Sequence, residues 1–123
     1  EAHKKAGNPS LEGSIVCLNT GHHDRTWPDH QKWETTYPGF TYNATVWFKD
    51  KGAKLHAVEG PSTDHPDDKS FPCHMAMREN DISHIEAVCN LESLYGKEFT
   101  FIGFPLKYIG TPGAQLRAVA LVE

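Results

Sequence analysis

Short apolar runs separated by long polar stretches set the frame of this chain. Ser14-Ile15-Val16-Cys17-Leu18 is bounded by turn residues and reads as a buried strand. Ahead of it, Ala2-His3-Lys4-Lys5-Ala6 reads as the exposed end of a helix, broken by Gly7-Asn8-Pro9-Ser10. Residues 19–39 form a long polar stretch rich in His, Asp, Trp and Pro, expected to be a structureless loop. A loop of that length is more often functional than filler. Thr41 can cap a helix over residues 42–51, closed by Gly52. Residues 55–59 then make a strand, giving a strand–helix–strand unit and a parallel pair. A second polar loop with three prolines covers residues 60–72. A short helical turn at 74–78, a strand at 83–88, a turn at 91–95, a strand at 99–104 and a last strand at Leu116–Val122 complete the pattern. This is an α/β chain with a mixed sheet, whose strand edges need covering.

Length and charge narrow the classes. At 123 residues the chain is read as a single unit, residues 1–123. The net charge of −4, with acids and bases interspersed, excludes a basic footprint for nucleic acid or for a membrane surface. No apolar run approaches the ~20 residues of a membrane span, and no signal-peptide pattern opens the chain. The start at Glu1 without Met suggests removal of earlier residues by processing or nicking. The three cysteines, Cys17, Cys73 and Cys89, cannot all pair within one chain, and none sits in a C-x-x-C arrangement. Reduced thiols and a cytoplasmic location are the plain reading. Asn43-Ala44-Thr45 matches a glycosylation sequon but falls on the expected helix, a chance match. Eight histidines in so short a chain are the first hint of metal or acid–base chemistry.

The candidate chemistry falls in a few places. His74 precedes Glu86, with His84 between them. On a strand, His84 and Glu86 point to the same face, and an imidazole with a carboxylate is a plausible half-shell for zinc or manganese. A surface histidine and glutamate would give the same spacing by chance. His22-His23-Asp24 and Asp29-His30 add ligand-type residues to the long loop, beside Arg25, Trp27 and Trp33, which suit substrate contact; the plain alternative is a solvated loop. Ser62 and Asp64 follow a strand end, where α/β sheets keep working groups, although turn and cap chemistry also explains them. Cys73 and His74 are sequence neighbours whose side chains point apart, which argues against a thiol nucleophile.

The order of these pieces resembles a known family. Gly13-Ser14-Ile15-Val16-Cys17-Leu18-Asn19-Thr20-Gly21 is similar to the "gD-vLirTG" segment of the metal-dependent cyclase family that includes kynurenine formamidase and isatin hydrolase. Tyr37-Pro38-Gly39-Phe40 resembles its "hPG" step, and Val58-Glu59-Gly60-Pro61-Ser62-Thr63-Asp64 its "giDtpSiD" loop. His74 to Glu86 followed by Asn90-Leu91, then Phe104-Pro105-Leu106 and residues 113–120, follow its closing motifs. The resemblance implies the family's swivelling β/β/α fold, with this chain as the C-terminal half. It also implies a divalent metal, zinc or manganese, that activates water against an amide, formamide, lactam or lactone carbonyl.

The family's late His and Glu ligands fall on His74 and Glu86, which become the expected metal-binding and catalytic pair. Ser62, Asp64, His84, Trp27 and His23 are expected to contact substrate or support the ligands. His84 stands where the family usually has an aliphatic residue, and Glu59 where it has Asp. The family's main metal motif, H-x-G-T-H-x-D, has no match here. A second polypeptide, either the other half of a cleaved precursor or a separately encoded subunit, is therefore expected to supply it, completing an oligomeric hydrolase of small amides. The alternative is a non-catalytic assembly or regulatory subunit of such an enzyme.

Overall fold

A computed structural model describes residues 1–123, and the apolar run after Gly13 becomes strand β1 (Ile15–Leu18). Before it lies helix α1 (Ala2–Lys5), the exposed helix end read from the sequence. The chain divides into two compact units, Glu1–Cys89 and Asn90–Glu123, a finer partition than the single unit read from length.

The first unit is built on a three-stranded parallel sheet in the order β1-β2-β3, where β2 is Leu55–Val58 and β3 is Ser83–Ile85. Ile15 pairs with Leu55 and Leu18 with Val58; His56 pairs in turn with His84. The central strand is the most buried, as a strand paired on both sides must be. Helix α4 (Tyr42–Asp50) starts where the Thr41 hydroxyl accepts from the amide of Ala44 at 3.2 Å. It stops before Gly52, whose φ of 84° suits glycine alone without strain. Helix α5 (Pro72–Asn80) packs against α4, and the Tyr42 hydroxyl donates to Glu79 at 2.5 Å across the two. Phe48, Ala53, Cys73, Met77 and Ile82 form the core, with Leu11, Val16, Leu18 and Phe40 against it.

The second unit holds a one-turn helix at Leu91–Leu94 and an antiparallel hairpin, β4 (Phe99–Pro105) with β5 (Leu116–Val122). Along β5, Leu116, Ala118 and Ala120 are half-buried, while Arg117, Val119 and Leu121 face outward. The parallel and antiparallel pairings of this α/β fold therefore lie in separate sheets.

Three expectations need correction. Residues 19–39 are not structureless: helices α2 (His22–Thr26) and α3 (His30–Thr35) form within them. The Glu59 carboxylate, 2% exposed, accepts from the amide and hydroxyl of Thr20 and the amide of His22, while Asp29 caps α3 through the amide of Lys32. Helix α5 begins earlier than 74, because Asp64 caps it from a distant loop, and ends later than 78, where Asp81 takes the left-handed conformation. Strand β3 ends at Ile85 rather than 88, because Ala87 takes φ 57° and breaks the extended run.

Candidate metal centre

The site is assembled from α5, β3 and the loop that follows β2. The loop is shaped first. The Ser62 hydroxyl accepts from the amide of Asp64 at 3.2 Å, and Phe40 donates its amide to the carbonyl of Thr63 at 2.8 Å. Gly39 lies so close to this loop that a Cβ there would collide with the backbone amide of His65.

These contacts fix Asp64, which is 1% exposed. Its Oδ1 accepts from the amide of Cys73 at 2.5 Å, and its Oδ2 from the amide of His74 at 3.3 Å. Pro72 at the first helical position needs no partner, so one carboxylate satisfies the open end of α5. The same Oδ2 meets His74 Nδ1 at 2.5 Å. The carboxylate oxygen accepts from Nδ1, and in the neutral ring this tautomer leaves the lone pair on Nε2. This carboxylate–imidazole arrangement is the support that metal-ligating histidines generally have.

His74 Nε2 faces Glu86, with Oε1 at 3.9 Å, and His84 Nε2 lies 3.1 Å from that same oxygen. His84 and Glu86 stand two apart at the end of β3 and project to one face, as strand alternation requires. One ligand atom from each of His74, His84 and Glu86 lies within 4.8 Å of the others, and all three residues are half-buried. Two imidazole nitrogens and a carboxylate oxygen suit zinc or another first-row divalent ion. The fixed His74 tautomer leaves the needed lone pair free, so the residues fit a metal.

Two further groups stand behind the cluster, of which only His56 escaped sequence reasoning. His56 is fully buried on β2, its Nε2 2.9 Å from the Thr63 hydroxyl and its ring stacked 6.0 Å from that of His84. Burial, reinforced by the two neighbouring histidines, lowers its pKa to about 4, so it is neutral. Only its place in a central strand reveals this, since a histidine in an apolar run reads equally as surface. Tyr37 is buried next to Gly60. Burial raises its phenol above the ordinary range; a hydrogen bond with Ser62 opposes that, and the charges of Glu86 and Asp64 push it further up. The Tyr37-Pro38-Gly39-Phe40 step was the available signal.

His23 and Trp27 lie outside the metal-spaced group. Their rings stack at 5.4 Å, and Trp27 meets His30 and Trp33 edge-on. His22 is buried, with Nε2 bonded to the carbonyl of Trp33 at 2.9 Å. Cys73 is fully buried between the hydroxyls of Thr45 and Thr63, and burial pushes its thiol pKa up, which removes it as a nucleophile.

The Cyclase family model matches residues 1–65, more than half of the chain. The chain belongs to the cyclase family. Kynurenine formamidase from Bacillus mycoides (strain KBAB4) is 26% identical over 117 residues, 94% of this cyclase-family chain and 54% of the relative. An isatin hydrolase solved with the product analogue thioisatinate superposes with a TM-score of 0.83 at 22% identity, over 97% of this chain and 49% of that one. A structure described as a potential metal-dependent hydrolase with cyclase activity gives a TM-score of 0.73 at 17% identity, over 96% and 56%. These structures share the fold of this cyclase-family chain, which spans about half the length of the relatives it matches.

Proposed function

We propose that this cyclase-family chain is the C-terminal half of a metal-dependent hydrolase that cleaves a C–N bond in a small amide, formamide or cyclic amide, or opens a lactone. The observation that carries the reading is the Asp64–His74 pair, which turns His74 Nε2 toward Glu86. A divalent metal, zinc or manganese, would be held there by His74 and Glu86 and would supply Lewis acidity, lowering the pKa of bound water toward neutrality.

The chain's own residues do the rest. Asp64 holds the His74 proton on Nδ1 and fixes the ring. Its buried carboxylate cannot swing away, because the amides of Cys73 and His74 hold it. Ser62 keeps the loop in shape through the amide of Asp64. The Trp27 ring, half exposed and stacked on that of His23, offers a flat face suited to a planar substrate.

A second polypeptide carrying H-x-G-T-H-x-D would complete the site. Supporting this, the hairpin leaves Phe104 68% and Leu121 62% exposed. A two-stranded hairpin is marginal alone, and an apolar face of this kind marks an interaction surface. Placement in the cytoplasm, with reduced thiols, accords with Cys17, Cys73 and Cys89 all being free. No helix is long and apolar enough to cross a membrane.

Metal analysis and intact mass of the natively purified protein, with assays on an aryl formamide and a lactam, test the reading. The expected result is bound metal, a co-purifying chain and hydrolysis, with His74→Ala and Glu86→Gln each losing metal and activity. Unchanged metal content in both variants removes the assignment. A metal-free, folded and inactive protein supports the assembly subunit instead.

A further inference from the structure

We infer that His84 is a third metal ligand supplied by this chain, so that His74, His84 and Glu86 together form a two-histidine, one-carboxylate site. The inference rests on the metal site proposed above and extends it to a residue that the family pattern does not assign. His84 occupies a position where that pattern has an aliphatic side chain, so nothing inherited from the family requires an imidazole here.

The geometry points to ligation. With metal–ligand bonds of about 2.0–2.1 Å, the donor atoms of a tetrahedral site lie roughly 3.3–3.5 Å apart. His84 Nε2 is 3.1 Å from Glu86 Oε1, and His74 Nε2 is 3.9 Å from that oxygen. These two separations bracket the tetrahedral value, and the three donor atoms lie within 4.8 Å of one another, so the two rings would have to draw together around an ion. The ring of His84 is also held in place: it stacks on His56 at 6.0 Å and meets the His74 ring edge-on at 4.9 Å. Its position on β3, in register with His56 on β2, is fixed by parallel pairing rather than by a mobile loop.

The competing role for His84 is to donate a hydrogen bond from Nε2 to Glu86 and orient it. The two roles exclude each other. A proton on Nε2 occupies the lone pair that a metal would need, so His84 either ligates through Nε2 or donates through it.

X-ray absorption on the zinc-loaded, natively purified protein decides between them, because imidazole rings bound to zinc give a distinct scattering signature. Two variants are compared with wild type. His84→Val restores the aliphatic type found in the family, and His84→Gln keeps a side-chain amide able to bond Glu86 but removes the imidazole. Ligation predicts fewer imidazoles per zinc in both variants. It also predicts a fall in zinc affinity beyond the ~10–100-fold cost of losing an outer partner of a ligand. An unchanged imidazole count in either variant, with zinc retained, overturns the role of His84 and leaves the His74–Glu86 site standing. A wild-type protein that takes up no zinc or manganese overturns both. If the valine variant fails to fold, the glutamine variant still decides.

Discussion

Asp64 is the residue on which local structure and chemistry meet. Its carboxylate caps α5 through the amides of Cys73 and His74 and fixes the His74 tautomer through Nδ1. Asp64→Asn keeps the size but presents an amide NH2 to that ring. His74 would then accept at Nδ1 and carry its proton on Nε2, where it blocks metal binding. The expected result is a loss of zinc affinity of about 10–100-fold, read by competition with a chelator. A loss of stability of about 1–3 kcal/mol should accompany it in urea denaturation, from the weakened cap and the buried polar mismatch.

His56 carries a pH dependence of its own. Its pKa in the folded chain is about 4, against 6.5 for an exposed histidine, because burial disfavours the charged form. Below pH 6.5 the unfolded chain takes up a proton that the folded chain refuses. The stability that this group contributes is therefore complete above about pH 6.5 and is lost as pH falls toward 4. At about 1.4 kcal/mol per unit, the loss approaches about 3 kcal/mol. Denaturation of the metal-free protein across that range should show a steeper fall in wild type than in His56→Asn; equal slopes would remove His56 as the source.

Among elements, the loop between β2 and α5 is the most constrained. A Cβ at Gly39 would strike the backbone of Asp64 and His65, which no side-chain rotation can relieve. Gly39→Ala should therefore cost about 1–3 kcal/mol and weaken metal binding by displacing Asp64. Gly113→Ala, where the added carbon meets nothing within 4 Å, serves as the control and should change neither denaturation nor metal titration. Elements with local causes were legible in the sequence. The apolar runs of β1, β2, β4 and β5 stand between turn residues, and α4 has its cap at Thr41 and its stop at Gly52. Helix α2 was not, because the Glu59 carboxylate that ties down its start lies far along the chain, whereas α3 carries a local cap at Asp29. The extent of α5 was hidden for the same reason: its capping side chain is Asp64, and Phe71 at the cap position makes no side-chain bond.

At the scale of the molecule, the first unit holds the metal-spaced cluster and the second carries an exposed apolar hairpin. The order of motifs along the chain was enough to resemble the cyclase family, and the match over residues 1–65 shows membership. Sequence also marked His74, Glu86 and Asp64, because residue type and order are written in the chain itself. What the tertiary structure decided is how they meet. Parallel pairing sets His84 beside His56, α5 brings His74 over the end of β3, and a loop pinned at Gly39 carries Asp64 to the His74 ring. Those meetings depend on strand register and on long-range hydrogen bonds. Neither leaves a periodic trace in the sequence, so His84 read there as support for the ligands stands in the fold within ligand distance of both.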